Sequence, residues 1–383
     1  MTNLSLCSGY GGLDLAVEQI TGNKTHVYAE SDKYAAQVMA ARFPWATNLG
    51  DFTKTDWAYL AQDHDFDTIT AGFPCQDISH AGKRKGITGA RSGIWKNVLE
   101  AVRHTRPRLV LLENVAAIRS RGLDVVVADL ASIGYGARWT CVRAGDPAVG
   151  APHKRDRWFC VAHPADADPE RSGRYRWAGH LAEAGGRNEP ADAGNEAASA
   201  TGGKGVLTLL PTPAAGNFND GEAVESWLAR RERNRAKGVN GNGMGTPLAI
   251  AVQLLPTPKA SDGPNGGPNQ RDAAGNYYLP GIAVRLDRDW VSLDGVDYGP
   301  AIHRWESVLG RPAPEPTEPG TRGNRRITPR FVEWMMGAPS GWITDLELPR
   351  AQQIKIAGNG VVTRQAVEAY RRLLTADIEA MAA

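Results

Sequence analysis

Cys75 has the surroundings that most clearly call for chemistry. It lies in Gly72-Phe73-Pro74-Cys75-Gln76, directly after the apolar run Asp67–Ala71, where a proline-defined turn would expose the thiol and fix its place. The segment Gln76–Trp95 holds Lys83, Arg84, Lys85 and Arg91 against the single acid Asp77, with Gly82, Gly86, Gly89 and Gly93 interleaved. Thiolates are the nucleophilic form of cysteine, and nearby positive charge favours them. A basic, glycine-rich loop is also suited to closing over a polyanion. A second reactive group stands at Glu113-Asn114-Val115, after the run Leu109–Leu112. A carboxyl at an apolar strand end tends towards a raised pKa and can donate a proton; helix capping is the plainer use. Arg155 and Arg157 precede the run Trp158–Ala162. Alternation puts both on one face, where two guanidinium groups can bind a phosphate or a base oxygen, or simply form a surface cation pair.

Further upstream stands a candidate nucleoside site, for which a Gly-rich turn with no ligand is the plainer alternative. Ser8-Gly9-Tyr10-Gly11-Gly12-Leu13 joins an apolar run to a helical one, and Glu30 ends the next run. Glycines allow the backbone to approach a ligand at a helix N-terminus, and an acid at that distance suits two ribose hydroxyls. By itself this pair fits a nicotinamide enzyme as well as other nucleoside-cofactor enzymes. The cysteines Cys7, Cys75, Cys141 and Cys160 form no Cys-x-x-Cys pair, which argues against a structural zinc site and a disulfide framework. Cys7, Cys141 and Cys160 read as small core residues.

These groups need a scaffold, and the first 163 residues supply one. Leu4–Cys7, Thr25–Ala29, Asp67–Ala71, Leu109–Leu112, Trp139–Arg143 and Trp158–Ala162 read as strands; Leu13–Ile20, Lys33–Ala41, Ile94–Thr105 and Leu123–Ile133 read as helices. Such alternation predicts an α/β fold with a doubly wound, mostly parallel sheet and its site at the C-terminal strand ends. Residues 164–324 differ: 24 Gly and 16 Pro make regular packing doubtful there and predict a smaller, irregular inserted domain. Within it 182–205 reads as a flexible segment, Leu209–Ala214 and Leu254–Ala260 as a duplicated loop, and Trp227–Lys237 as a basic helix whose cations are either solvated or phosphate-facing. The net charge of +2 hides an asymmetry. Residues 164–324 carry 17 Lys+Arg against 20 Asp+Glu and the remainder 27 against 22, so any DNA contact must come from local basic stripes. Order returns from Ile327, and 325–383 reads as a segment that packs back on the first. The N-terminus lacks a signal-peptide layout and no apolar run reaches 18 residues, which predicts a cytoplasmic location without a membrane partner.

The four motifs, in this order, resemble the DNA cytosine-5 methyltransferase family, as do Gly50-Asp51-Phe52, Arg91-Ser92-Gly93, Thr328-Pro329-Arg330 and Ala357-Gly358-Asn359-Gly360-Val361-Val362. The resemblance covers 3–163 and 325–370. It implies a Rossmann-like methyltransferase fold with S-adenosyl-L-methionine as cofactor. Ser8, Gly9, Tyr10, Gly11, Gly12 and Leu13 would bind it, with Glu30 on the ribose, Asp51 and Phe52 near the adenine, and Asn359, Gly360 and Val361 at the methionine end. It implies catalysis by Cys75, which attacks C6 of a flipped-out cytosine in a specific sequence of double-stranded DNA. Glu113 would act at N3, and Arg155 and Arg157 at O2 and neighbouring groups. Gln76, Ser79, Lys83, Arg84, Lys85 and Arg91 would contact the DNA, 164–324 would read the target, and no metal is required. A monomer and a companion restriction endonuclease fit the same resemblance. Cys7, His153, Gly360 and Thr363 stand where the family more often has Phe, Gln, Ala and Pro. RNA cytosine-5 methylation and a catalytically silent DNA-binding module remain the alternatives.

Overall fold

The computed structural model describes residues 2–74, 93–165, 253–320 and 323–382, with 229, 230, 232 and 233 besides; from 376 onward it describes backbone alone. The first apolar runs become parallel strands β1 (Thr2–Leu6), β2 (Lys24–Ala29), β3 (Thr47–Asn48), β4 (Thr68–Ala71) and β5 (Leu109–Val115). Between them run helices α1 (Gly12–Thr21), α2 (Lys33–Arg42), α3 (Trp57–Asp63) and α4 (Gly93–Thr105). After α5 (Leu123–Ser132), β6 (Tyr135–Arg143) and β7 (Asp156–Pro164) form a hairpin, and β7 inserts antiparallel against β5. The seven strands lie in the order β3-β2-β1-β4-β5-β7-β6.

Period-two alternation divides this sheet between two cores. Leu109, Leu111, Phe159 and Val161 face one cluster with α1 and the C-terminal helices; Val110, Leu112, Trp158, Cys160 and Ala162 face the other, with α4 and α5. Asn3 interrupts the first face with a buried polar ladder: its side chain bonds Thr25, Thr68 and Thr70, and Thr25 in turn donates to Asp14 at 2.7 Å. Those hydroxyls satisfy groups that would otherwise be stranded under α1.

The structure departs from the pattern-based expectation in a few places. β3 and α3 are too short to leave a periodic signal. β6 begins four residues before Trp139, because as an edge strand it carries no strict apolar alternation. β5 continues through Glu113 and Asn114, so these lie within the strand rather than after it. Arg155 and Arg157 stand at the N-terminal end of β7, and they reach the site edge only because β7 runs antiparallel to β5. Cys160 is a core residue, whereas Cys7 and Cys141 are half-buried.

The described part of the irregular region, 253–320, has no separate hydrophobic core. Leu255, Leu279, Ile282, Ile302 and Trp305 join Val149, Ala151, Phe331 and Trp334 in the first cluster. These residues come from loop 253–259, from the β6–β7 connection and from α6 (Leu279–Ala283), α7 (Gly299–Leu309) and α8 (Pro329–Met335). Leu255 bridges His153, and its N–H donates to the Pro152 carbonyl at 2.8 Å. A two-stranded ladder, β8 (Thr317–Pro319) and β9 (Arg325–Ile327), precedes α8; α9 (Arg350–Asn359) and α10 (Thr363–Ala382) end the chain, and α10 packs on α1. Segment 182–205, most of Trp227–Lys237 and the repeat at Leu209–Ala214 lie outside the described residues. Among those described, no helix is long and apolar enough to cross a membrane, and no His/Cys/Asp/Glu group could hold a metal ion.

Asp262 gives this region a pH dependence. Burial, countered in part by the Lys259 N–H at 2.8 Å, pushes its pKa up to about 6. A carboxyl raised in the folded state adds stability while protonated and loses it as pH rises through the folded pKa. Asp262→Asn is therefore expected to raise the melting temperature at pH 8, by roughly 1–3 kcal/mol of stability, and to leave it almost unchanged near pH 4. Thermal melts at both pH values check this; equal effects at the two would sink it.

Candidate active site

The Gly-rich turn between β1 and α1 sets one wall of the site. Gly9 and Gly11 have φ of 60° and 84°, and Cys7 shares this left-handed conformation at 56°. The glycines have different tasks. A Cβ on Gly11 would come within 2.6 Å of the Phe43 ring, and one on Gly12 within 2.5 Å of the Val361 carbonyl. Both are close-packing positions. A Cβ on Gly9 would meet nothing within 4 Å, so that backbone faces open space. Its N–H donates to Glu30 Oε2 at 2.8 Å, while Glu30 Oε1 accepts the Asp32 N–H at 2.8 Å. Each oxygen keeps a lone pair for a further donor. Burial pushes the Glu30 pKa up, and the Asp32 and Gly9 amides hold it back.

The remaining expected cofactor residues surround this turn unevenly. Ser8 and Leu13 are buried, and the Ser8 hydroxyl bonds Ser5. Asp51 is exposed, but its carboxylate caps Thr53, which holds its pKa down; Phe52 is buried with its ring 6.2 Å from that of Trp57. Asn359 is exposed at the end of α9, whereas Gly360 and Val361 are buried. The Tyr10 side chain is wholly buried and donates to the Val361 carbonyl, so only its backbone is available to a ligand.

The other wall is built by alternation along β5. Glu113 continues the face of Leu109 and Leu111, and its Oε1 lies 2.9 Å from Arg157 Nε in a largely buried ion pair. Asn114 continues the opposite face and donates to the Phe73 carbonyl at 3.1 Å. That bond fixes the backbone one residue before exposed Pro74, and Phe73 is anchored by its ring contact with Trp95 at 5.2 Å. Glu113 and the approach to Cys75 are thus neighbours through adjacent residues of one strand. Burial pushes the Glu113 pKa up, against the pull of Arg157 and then Arg155. Cys75, Gln76, Ser79, Lys83, Arg84, Lys85 and Arg91 lie outside the described residues.

Arg155 has a different environment from Arg157. Its Nη1 donates to the Gly358 carbonyl at 3.1 Å and its Nη2 to that of Gly360, while buried Nε has no partner. Burial, then the Arg157 charge, pushes its pKa down to about 9. The Arg155 carbonyl and that of Val142 both accept from the buried Gln365 amide. His153 is fully buried, with Nε2 3.1 Å from the Met335 carbonyl, and burial pushes its pKa down to about 3, so the ring is neutral. Nothing in the local pattern marks Gln365, since a lone glutamine in a helix has no chemical signature. Asn114 was visible as the neighbour of Glu113, but its bond to Phe73 spans 41 positions.

The arrangement brings together the open Gly9 turn with Glu30 and a buried carboxyl–guanidinium pair at the C-terminal edge of a mostly parallel sheet. Its architecture is that of the α/β methyltransferases. The fold is shared with the Entamoeba histolytica methyltransferase EhMeth at a TM-score of 0.54 and 14% identity, over 99% of this chain and 98% of that one. Residues 1–189 match the family model described as C-5 cytosine-specific DNA methylase. It is 35% identical over 171 residues to the type II methyltransferase M.CviJI of Paramecium bursaria Chlorella virus IL3A, covering 44% of each chain. It is 33% identical over 190 residues to the type II methyltransferase M.NlaX of Neisseria lactamica, covering 47% of this chain and 59% of that one. The chain spans about half the length of these relatives.

Proposed function

We propose that the protein methylates C5 of cytosine in a specific sequence of double-stranded DNA. The observation that carries this reading is the Glu113–Arg157 pair, buried beside the anchored turn that leads into Cys75. S-adenosyl-L-methionine fits the cradle: Gly9 leaves an open backbone face, and Glu30 keeps acceptor capacity for ribose hydroxyls. When bound there, it supplies an electrophilic methyl group. Asp51, Phe52 and Asn359 would complete its surroundings.

In this reading the Cys75 thiolate bonds to C6 of a flipped cytosine, pushing electron density onto C5. Glu113, whose burial favours the protonated form, donates at N3 as that charge develops. Arg157 holds the O2 side and orients Glu113. Arg155 keeps the 358–360 backbone in place from beneath. After transfer a base takes the C5 proton, the enamine re-forms the 5,6 double bond, and Cys75 leaves. Gln76, Ser79, Lys83, Arg84, Lys85 and Arg91 contact the DNA as the loop closes, and 164–324 reads the target. A companion endonuclease would make the methylation protective.

Bisulfite sequencing of DNA from cells expressing the gene is expected to reveal new 5-methylcytosine at one recurring sequence. Its absence there, with methyl transfer to RNA in vitro, would move the assignment to RNA.

A further inference from the structure

We infer that Tyr10 and Gly360 are a matched pair that sets the shape of the cofactor cradle, with Tyr10 acting as a positioning residue. The inference rests on the proposed cofactor reading. Tyr10 is wholly buried and is held at both ends by the C-terminal segment. Its hydroxyl donates to the Val361 carbonyl, and its own carbonyl accepts Trp342 Nε1 at 2.7 Å. Trp342 is itself fixed, because the buried Glu333 carboxylate accepts the N–H groups of Gly341, Ile343 and Thr344 at 2.7–2.9 Å. The Tyr10 ring lies directly on the backbone of residue 360. A Cβ there would overlap its Cε1 and Cδ1 atoms and sit 3.1 Å from Cζ.

Neither side can retreat easily. The Gly360 carbonyl is held by Arg155 and that of Val361 by Tyr10, while Gly358 abuts the backbone of Lys259 and Ala260. On the other side, a Cβ at Gly12 would come within 3.0 Å of the same ring. A methyl group at 360 must therefore be absorbed by displacing Tyr10. In the proposed cofactor reading, Gly9 and Asn359, the residues just before the two members of the pair, would form two lips of the cradle: the Gly9 N–H positions Glu30, and Asn359 is exposed. Displacing Tyr10 shifts one lip relative to the other. Ordinary core packing would make the pair matter for stability alone; the position of both residues next to the lips makes it matter for affinity.

The test is calorimetric titration of S-adenosyl-L-methionine, together with thermal melts, on the wild type, Tyr10→Phe, Tyr10→Leu, Gly360→Ala and the Tyr10→Leu/Gly360→Ala double variant. Loss of the hydroxyl alone in Tyr10→Phe is expected to raise Kd about 5–10-fold. Gly360→Ala is expected to weaken binding at least as much, and the double variant to bind more tightly than Gly360→Ala. Should Gly360→Ala fail to fold, recovery of folding in the double variant supports the pair and Tyr10→Phe still reports on affinity. Wild-type Kd in Tyr10→Phe with only a lowered melting temperature would overturn the positioning role. Additive losses in the double variant would overturn the pairing. If the wild type itself does not bind, the cofactor reading fails with the positioning role, and the melts alone decide whether the two residues are coupled.

Discussion

A duplex carrying 5-fluorocytosine at the target position, incubated with the protein and S-adenosyl-L-methionine, is expected to become attached to it through a bond that survives boiling in detergent. Fluorine at C5 cannot leave as the proton would, so the reaction stops at the methylated adduct with the Cys75 sulfur still on C6. Cys75→Ser is expected to give no adduct and to lower methyl transfer roughly 10³-fold or more, because an alcohol at neutral pH is a far poorer nucleophile than a thiolate. Denaturing gels with labelled DNA measure the first and transfer of a labelled methyl group the second. An undiminished adduct in the variant would remove Cys75 from the mechanism. Cys7, Cys141 and Cys160 are poor substitutes. Burial raises the pKa of all three, to about 12 for Cys7, which keeps them as thiols.

The second large effect is expected at Glu113. Glu113→Gln keeps the size of the side chain and an oxygen that can accept from Arg157, but it has no proton to give. Methyl transfer is expected to fall by roughly 10²–10⁴-fold, the range that a positioned general acid contributes. Stability is expected to move the other way. Burial raises the Glu113 pKa above the ordinary 4.5, so its contribution to folding is present at low pH and lost as pH rises through the folded value. At pH 8 the neutral amide relieves a buried charge, and the variant is expected to melt no lower than the wild type. Steady-state kinetics beside thermal melts at that pH separate the two. Activity within tenfold of wild type would exclude Glu113 as the acid, and a collapse in stability would mean that the ion pair chiefly holds the fold.

The scaffold was legible because most of its strands are buried on both faces. A strand such as Leu109–Leu112 then appears as an unbroken apolar run, and helices such as Lys33–Arg42 separate the runs cleanly. Legibility stopped where burial was partial or partners were remote. Glu113 and Asn114 are poor strand formers, so only pairing with Phe159 and Trp158 shows that β5 includes them. Arg155 and Arg157 look equivalent in sequence. They differ because Gly358 and Gly360, some 200 positions away, take both terminal nitrogens of Arg155 while Arg157 meets Glu113. For 253–320, glycine and proline counts suggested irregularity and gave no sign that Leu255, Ile302 and Trp305 enter the main core. Their spacing follows turns, not a helical or strand period, and composition does not report where a turn-rich segment packs.

The bond between Tyr10 and Val361 spans 351 positions, and it also places the two halves of the cradle far apart in time. At about 5–20 residues per second, a ribosome needs roughly 18–70 s to make the second half after the first has emerged. For most of that interval, once residue 113 has been added, the nascent chain carries Cys75 and Glu113, yet nothing closes over Tyr10. On the proposed reading, competence to take up a methyl donor would therefore arrive late, with the residues that lead up to Val361, and an interrupted chain would carry Cys75 and Glu113 without a completed cradle.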